Sequence, residues 1–391
     1  MARHVTAALC LVGLIGSGAV TYSLIRNPIP IAGKVAPAAT AEPAAGPTQE
    51  DIAGTPAPSN VVITNKQIDV PGSIVYAKSG NLFVQSGTGV VQITHSKDGS
   101  QASQPTWSSD GQWIYYIDTR ITSGTWGNPD NGGVSPFRLT YPVLCRVHAD
   151  GSGEADLVSG ILKAGKMRTF FWMRHPSISP DGSTAAVISD GPTAPGVKDN
   201  LLSFISLRTG AFLSTPYLRE MHPFGHSEPA YSPDGKSVAY VMEGRDGADP
   251  APSIWIYDVA ARSARLLVRG YRGPEWSPDG KYLAVAKVSG VKLDVAILDA
   301  STGGQVGQVT SDGRSWAPVW SPSGDRLAYM HLTGSIVDLY LADVVRSGAA
   351  FTFGSPERLT EYSGLDGSSP AAWSAAGSGA PSPSVAPSAS Q

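Results

Sequence analysis

The stretch GPEWSPDGKYLAVA, residues 273–286, is one of five near-copies of a single phrase in this chain. The others read QPTWSSDGQWIYYI from Gln104, HPSISPDGSTAAVI from His175, EPAYSPDGKSVAYV from Glu228 and APVWSPSGDRLAYM from Ala317. A sixth, SPAAWSAAGSG from Ser369, keeps the tryptophan and loses the turn. Each copy explains itself locally. Proline fixes φ at the second turn position, aspartate bonds nearby backbone N–H groups, and glycine takes the left-handed conformation. Such a tight connection joins two antiparallel strands. KYLAVA, SVAYV and RLAYM, just after it, are short apolar strands of the kind buried between packed sheets.

The residues at the heart of the copies are Trp107, Ile178, Tyr231, Trp276, Trp320 and Trp373, separated by 71, 53, 45, 44 and 53 positions. Periods near 40–50 residues suit a four-stranded propeller blade. The rest of a blade follows in order: VKLDVAILDA as a third strand, STGG as a turn, QVGQVT as a short fourth strand. The same order appears in SIWIYDVAARSARLLV, LLSFISLRTGAFLST and DLYLADVVRSGAAFTF. The sixth copy has no second strand of its own, but SIVYAKSGNLFVQ, from Ser73, carries the missing pattern. The sequence therefore predicts an all-β, six-bladed propeller of four-stranded blades over residues 71–375, its ring closed by the N-terminal strand. Closure also removes the free sheet edges of an open array.

These repeats, centred on a P-x-W-S-P-D-G phrase, resemble those of the TolB-like family of six-bladed propellers over residues 71–375. The resemblance implies an exported protein that docks other proteins. Residues 27–70 leave no room for the separate N-terminal α/β domain of TolB, which argues against a role in the Tol system itself.

Outside the repeats, the chain is simpler. Val5 to Ile25 carries no charge, and 21 residues can span a bilayer core as a helix. Residues 1–26 are thus a signal anchor, or a signal peptide cleaved near Ser17-Gly18-Ala19. Cys10 does not make a lipobox, because Leu9 stands where a small residue is needed. Residues 27–70 are a Pro/Ala-rich linker that cannot bury a core, and 376–391 a disordered, low-complexity tail. A spacer behind an anchor implies a propeller displayed outside the membrane, single-pass at the cell membrane, or secreted if the signal is cleaved. Cys145 has no cysteine beyond the first helix to pair with. A net charge of −3 gives no basic footprint for nucleic acid.

Strand order separates two faces of the ring. The SPDG turns and the turns between third and fourth strands share one face; the remaining connections share the other. Insertions gather on that second face in the first three blades: TRITSGTWGNPDNGGVSPFRLTYP, LKAGKMRTFFWMRH, SDGPTAPGVKDN, YLREMHPFGHSE and MEGRDGADPAP. Long loops on a rigid scaffold carry binding, so a protein or peptide ligand is expected there. Arginine and aromatic anchors, enriched at interface hot spots, would be Trp126, Trp172, Arg174, Tyr271, Arg272, Arg314 and Trp316. The SPDG aspartates are turn-formers rather than catalytic acids, and the repeated Trp and Tyr residues are blade-packing core.

No cofactor and no catalytic residue is required by the sequence. The alternative is a metal-assisted lyase or hydrolase in which His175, His222, His226 and Glu228 hold one divalent metal at the channel mouth. A serine hydrolase is excluded: the nearest nucleophile elbow, GHSEP at 225–229, has proline in place of its last glycine.

Overall fold

The computed structural model describes residues 60–127, 134–164, 167–192, 200–213, 225–244, 251–348 and 350–375. The expected N-terminal helix, most of the linker and the tail lie outside the described residues. The N-terminal part lays down β1 (Val70–Lys78), β2 (Asn81–Gly87) and β3 (Gly89–Gln92). The first full repeat is β4 (Gln101–Trp107), β5 (Trp113–Gly127), β6 (Val134–His148) and β7 (Ala155–Ser159). A small hairpin, β8 (Ile161–Ala164) and β9 (Met167–Phe170), precedes the second repeat of β10 (Met173–Ile178), β11 (Thr184–Ser189) and β12 (Leu201–Ser206). The third holds β13 (His226–Tyr231), β14 (Ser237–Met242), β15 (Ser253–Asp258) and β16 (Ser263–Arg269). The fourth holds β17 (Tyr271–Trp276), β18 (Tyr282–Ser289), β19 (Lys292–Asp299) and β20 (Gln305–Gln308). The fifth holds β21 (Ser315–Trp320), β22 (Arg326–Thr333), β23 (Ile336–Ser347) and β24 (Ala350–Phe353). β25 (Glu357–Arg358) also pairs β23, and β26 (Ala372–Ser374) ends the set.

Each repeat folds into its own antiparallel sheet, strands in chain order from the channel outward. Among the described residues the second blade has three strands, with a bridge between Ile205 and Phe212 at the place of the fourth. The sixth sheet runs β26-β1-β2-β3, so the ring closes as expected, with the N-terminal part supplying three of its four strands. Closure is tight at Gly72, whose φ is +75°: a Cβ there would lie 2.1 Å from the Ser374 carbonyl oxygen. Only glycine fits that approach. Residues 61–68, read from composition as the end of the linker, pack against the propeller. Val62 and Ile68 are buried, Thr64 bridges Thr360, and the Asn65 amide donates to the Leu359 carbonyl at 2.9 Å.

Core forms between neighbouring blades. Val75, Ala77 and Leu82 of the sixth blade, for example, pack with Trp107, Ile114 and Tyr116 of the first. The repeated tryptophans add a hydrogen bond to three of the seams. Indole N–H groups of Trp107, Trp276 and Trp320 donate to the carbonyls of Ala372, Ala230 and Glu275 on the inner strand of the preceding blade, at 3.2, 3.0 and 3.3 Å. A buried indole needs such a partner, and here the partner fixes the angle between blades.

The turn chemistry is the same in four copies and rebuilt in the fifth. In the fourth, the Ser277 hydroxyl donates to Asp279 Oδ1 at 2.7 Å, the Lys281 amide donates to the same oxygen, and the Tyr282 amide donates to Ser277 Oγ. In the fifth, Ser323 stands at the aspartate position, and Asp325 takes over by accepting from the hydroxyls of Ser321 and Ser323. Hydrogen bonds hold the Asp110, Asp181 and Asp234 carboxyls below the ordinary range, as turn-formers require.

One expectation changes. The 24-residue insertion from Thr119 to Pro142 is not a plain loop. β5 and β6 run on beyond the blade, paired in unbroken register from Thr119↔Pro142 to Gly127↔Val134, as a two-stranded arm.

Candidate functional site

Inner strands meet the channel through a feature repeated around the ring. In β4, β10, β13, β17 and β21 the pairing register shifts at the residue before proline. Those residues, Gln104, His175, Glu228, Gly273 and Ala317, have φ of 54°, 51°, 50°, 61° and 49°. A residue before proline ordinarily stays extended, and left-handed φ costs a non-glycine residue about 1 kcal/mol or more. The bulge turns each of these residues along the wall of the channel toward the next blade. Gln104 N–H donates to Ser369 Oγ at 2.7 Å, His175 N–H to Gln104 Oε1 at 2.8 Å, and Gly273 N–H to Glu228 Oε2 at 2.7 Å. The relay stops where the chain has His175, whose buried Nδ1 finds no partner among the described residues, and at Gly273, which has no side chain.

The charged residues gather beside this relay over blades two to four. Arg272, on β17, donates to Glu228 Oε1 at 2.9 Å and to Glu243 Oε1 at 3.2 Å. Glu243, just after β14, also accepts from the Ser227 hydroxyl. Burial opposes ionisation of Glu228, but the Arg272 and His175 neighbours and the Gly273 amide outweigh it and hold the carboxyl below its usual range. The same pairing raises the Arg272 guanidinium. Burial lowers His175 to about 4, so the ring is neutral at pH 7. Arg174 is half-buried, its guanidinium 6.0 Å from the Trp172 ring, its charge drawn to Glu243 and Asp190 without a hydrogen bond to either. The Trp172 amide donates to Asp190 Oδ1 at 2.6 Å, and its ring stands edge-on to Phe170 at 5.1 Å. Two residues beyond Gly273 on β17, burial pushes Glu275 up to about 7.

Of the residues singled out from sequence, Arg174, His175, Glu228 and Arg272 therefore come together, with Trp172 alongside. Tyr271 does not join them. Neighbours on a strand point oppositely, and its hydroxyl donates outward to Gln305 Oε1 on β20 at 2.9 Å. Trp316, on β21 of the neighbouring fifth blade, is half-buried, its indole donating to the Gly367 carbonyl at 2.8 Å, while Arg314 is exposed at the rim. Trp126 sits on the arm, in register with Ser135. His226 is 2% exposed and packs on Tyr240, with its Nδ1 accepting the Leu202 amide at 3.1 Å. It belongs to the blade interior rather than the channel. His222 lies outside the described residues, and among the described ones no three His, Cys, Asp or Glu side chains group as a metal-binding set. Glu243, Gln104 and Ser369 were missed. The signal available for the last two was their place before proline in the repeat.

No family model matches the chain. The Tol-Pal system protein TolB of Alcanivorax borkumensis is 37% identical over 75 residues, which is 18% of this chain and 16% of that protein. Among solved structures, TolB from Acinetobacter baumannii superposes with a TM-score of 0.52 at 20% identity, over 78% of this chain and 67% of that one. A chain of a nidogen/laminin complex gives 0.52 at 9% identity, over 77% of this chain and 96% of that one. Likeness at such identities speaks for architecture alone. In fold, the chain is a TolB-like six-bladed β-propeller.

Proposed function

We propose that the protein is a membrane-tethered, extracytoplasmic propeller that docks a protein or peptide at its long-loop face. The carrying observation is the Arg174–His175–Glu228–Arg272–Glu243 cluster at the mouth of the channel, flanked by Trp172. Two arginines half-buried on strands β10 and β17, with a half-buried tryptophan just before β10, match the residue types that dominate interface energies. The likeness in fold to TolB supports a protein partner. The uncharged Val5–Ile25 stretch supports the tether, and among the described residues no helix is long and apolar enough to cross a membrane.

The test is photo-crosslinking from position 172 in the full-length chain in its own membrane, read with and without Arg174→Ala. Removal of one such anchor weakens capture by roughly tenfold or more, equivalent to over 1.4 kcal/mol, while the melting temperature stays put. Adducts that persist unchanged in the Arg174→Ala protein would remove this face from consideration. Loss of membrane fractionation on deleting residues 1–26, with capture retained, separates the tether from the docking site.

A further inference from the structure

One position recurs around the mouth of the channel. Two residues before the proline of each copy stand Ser103, Arg174, Ser227, Arg272, Trp316 and Ser368, one entering each blade. In the first, second and fourth blades this residue is the last in regular register before the bulge, paired as Ser103↔Ile117, Arg174↔Ile188 and Arg272↔Ala286. Arg174 and Arg272 thus hold one place in blades two and four, on either side of blade three. Their partners differ. Arg272 is gripped from within the chain, by Glu228 Oε1 at 2.9 Å and Glu243 Oε1 at 3.2 Å. Arg174 is not. Its Nε is shut away from water with no acceptor among the described residues, and no hydrogen bond offsets its burial.

The two carboxylates that draw its charge are engaged elsewhere. Glu243 Oε1 accepts from the Ser227 hydroxyl and from Arg272, and Asp190 Oδ1 accepts the Trp172 amide at 2.6 Å. Burial outweighs the attraction of both and lowers the Arg174 guanidinium from its ordinary value. A guanidinium presents five N–H donors in a planar fork. Half-buried and without an acceptor, it bears a desolvation cost that charges out of hydrogen-bond reach do not recover. A carboxylate fits the fork with two parallel hydrogen bonds, each stronger than a bond between neutral groups. Arg272 shows this at the equivalent position, where Nε and Nη2 both donate to Glu228. At Arg174 the chain supplies no such carboxylate, and the Trp172 ring, 6.0 Å away, walls one side.

We propose that Arg174 is the carboxylate-recognition residue of the docking face, and that the bound protein or peptide presents to it an acidic side chain or its own C-terminal carboxylate. The assignment rests on the docking reading and adds to it the chemistry of the partner.

The probes are three matched sets of randomised, acetylated hexapeptides. One has a free C-terminus and no acidic residue, one is amidated and carries a single aspartate, and one is amidated with asparagine in its place. Each is passed over immobilised full-length protein in detergent, and the retained peptide is quantified. At least one carboxylate set should be retained about tenfold better than the asparagine set, and which one it is tells a terminal carboxylate from a side chain. Arg174→Gln should abolish that preference, whereas Arg265→Gln, exposed on the outer strand β16, should preserve it. If the melting curve shows that Arg174→Gln does not fold, Arg174→Lys carries the test: it keeps the charge, loses the fork and should narrow the preference. A preference that survives unchanged in the folded Arg174 variants overturns the assignment. Equal retention of all three sets overturns it too but leaves docking standing, while retention of none removes the docking reading with it.

Discussion

The two ends of the same inner strands obey different rules. At the turn end, four copies use one set of hydrogen bonds between serine and aspartate, and the fifth rebuilds it with Asp325 where the usual position holds serine. At the channel-mouth end the backbone is equally regular, with a bulge before each proline, but the side chains placed there are Gln, His, Glu, Gly and Ala. One end keeps residue and geometry together; the other keeps geometry and lets the residue vary. A scaffold that works this way can change what it binds without changing how it folds.

That contrast can be attacked first at the seam tryptophans. Trp320→Ala removes a side chain 5% exposed and its hydrogen bond to Glu275. It should cost about 3–5 kcal/mol, read by denaturant unfolding; a loss below 1 would mean the seams are not what holds the ring.

The mouth end should instead reveal itself through pH. Glu275, raised from 4.5 to about 7 by burial, binds its proton more tightly folded than unfolded. Its contribution is therefore complete below pH 4.5 and is lost as pH rises through 7. Glu275→Gln should flatten that decline and stabilise the protein above pH 7 by on the order of 2 kcal/mol. His175, lowered from 6.5 to about 4, has the opposite sign: its stability is present above 6.5 and is lost as pH falls through 4. His175→Gln should flatten only that acid limb. Melting temperatures measured from pH 4 to 8 check both, and identical profiles for wild type and variants would deny that the channel wall is dry.

A smaller effect sharpens the turn side. Asp234→Ala and Asp325→Ala should each cost about 1 kcal/mol, the same although the two aspartates stand at different places in their turns. Unequal losses would mean that the fifth turn is not an equivalent solution. Smallest of all, Arg314→Ala at the exposed rim should stay within about 0.5 kcal/mol of wild type.

Much of this was legible because turns and seams depend on local chemistry. Ser-Pro-Asp-Gly states its own conformation, and an aromatic or branched residue recurring at the same place in the phrase every 44 to 71 residues can only be a repeated contact. The channel mouth was half legible. Arg174, His175, Glu228 and Arg272 follow from strand order, but Tyr271 was placed with Arg272 although adjacent strand residues face apart. The relay was hidden because residues before proline are ordinarily extended, and nothing local announces a left-handed one. The arm was hidden by its own punctuation: Gly124, Gly127 and Pro136 read as loop, while the pairing that makes them strand is visible only across the hairpin.

The sheet order β26-β1-β2-β3 also sets a schedule. The innermost strand of the closing blade is the last made, and it must pair with the first. Until Trp373 emerges to donate its indole to the Pro71 carbonyl, β1 waits with an open edge through the synthesis of about 300 residues. The ring therefore stays open until β26 has been made.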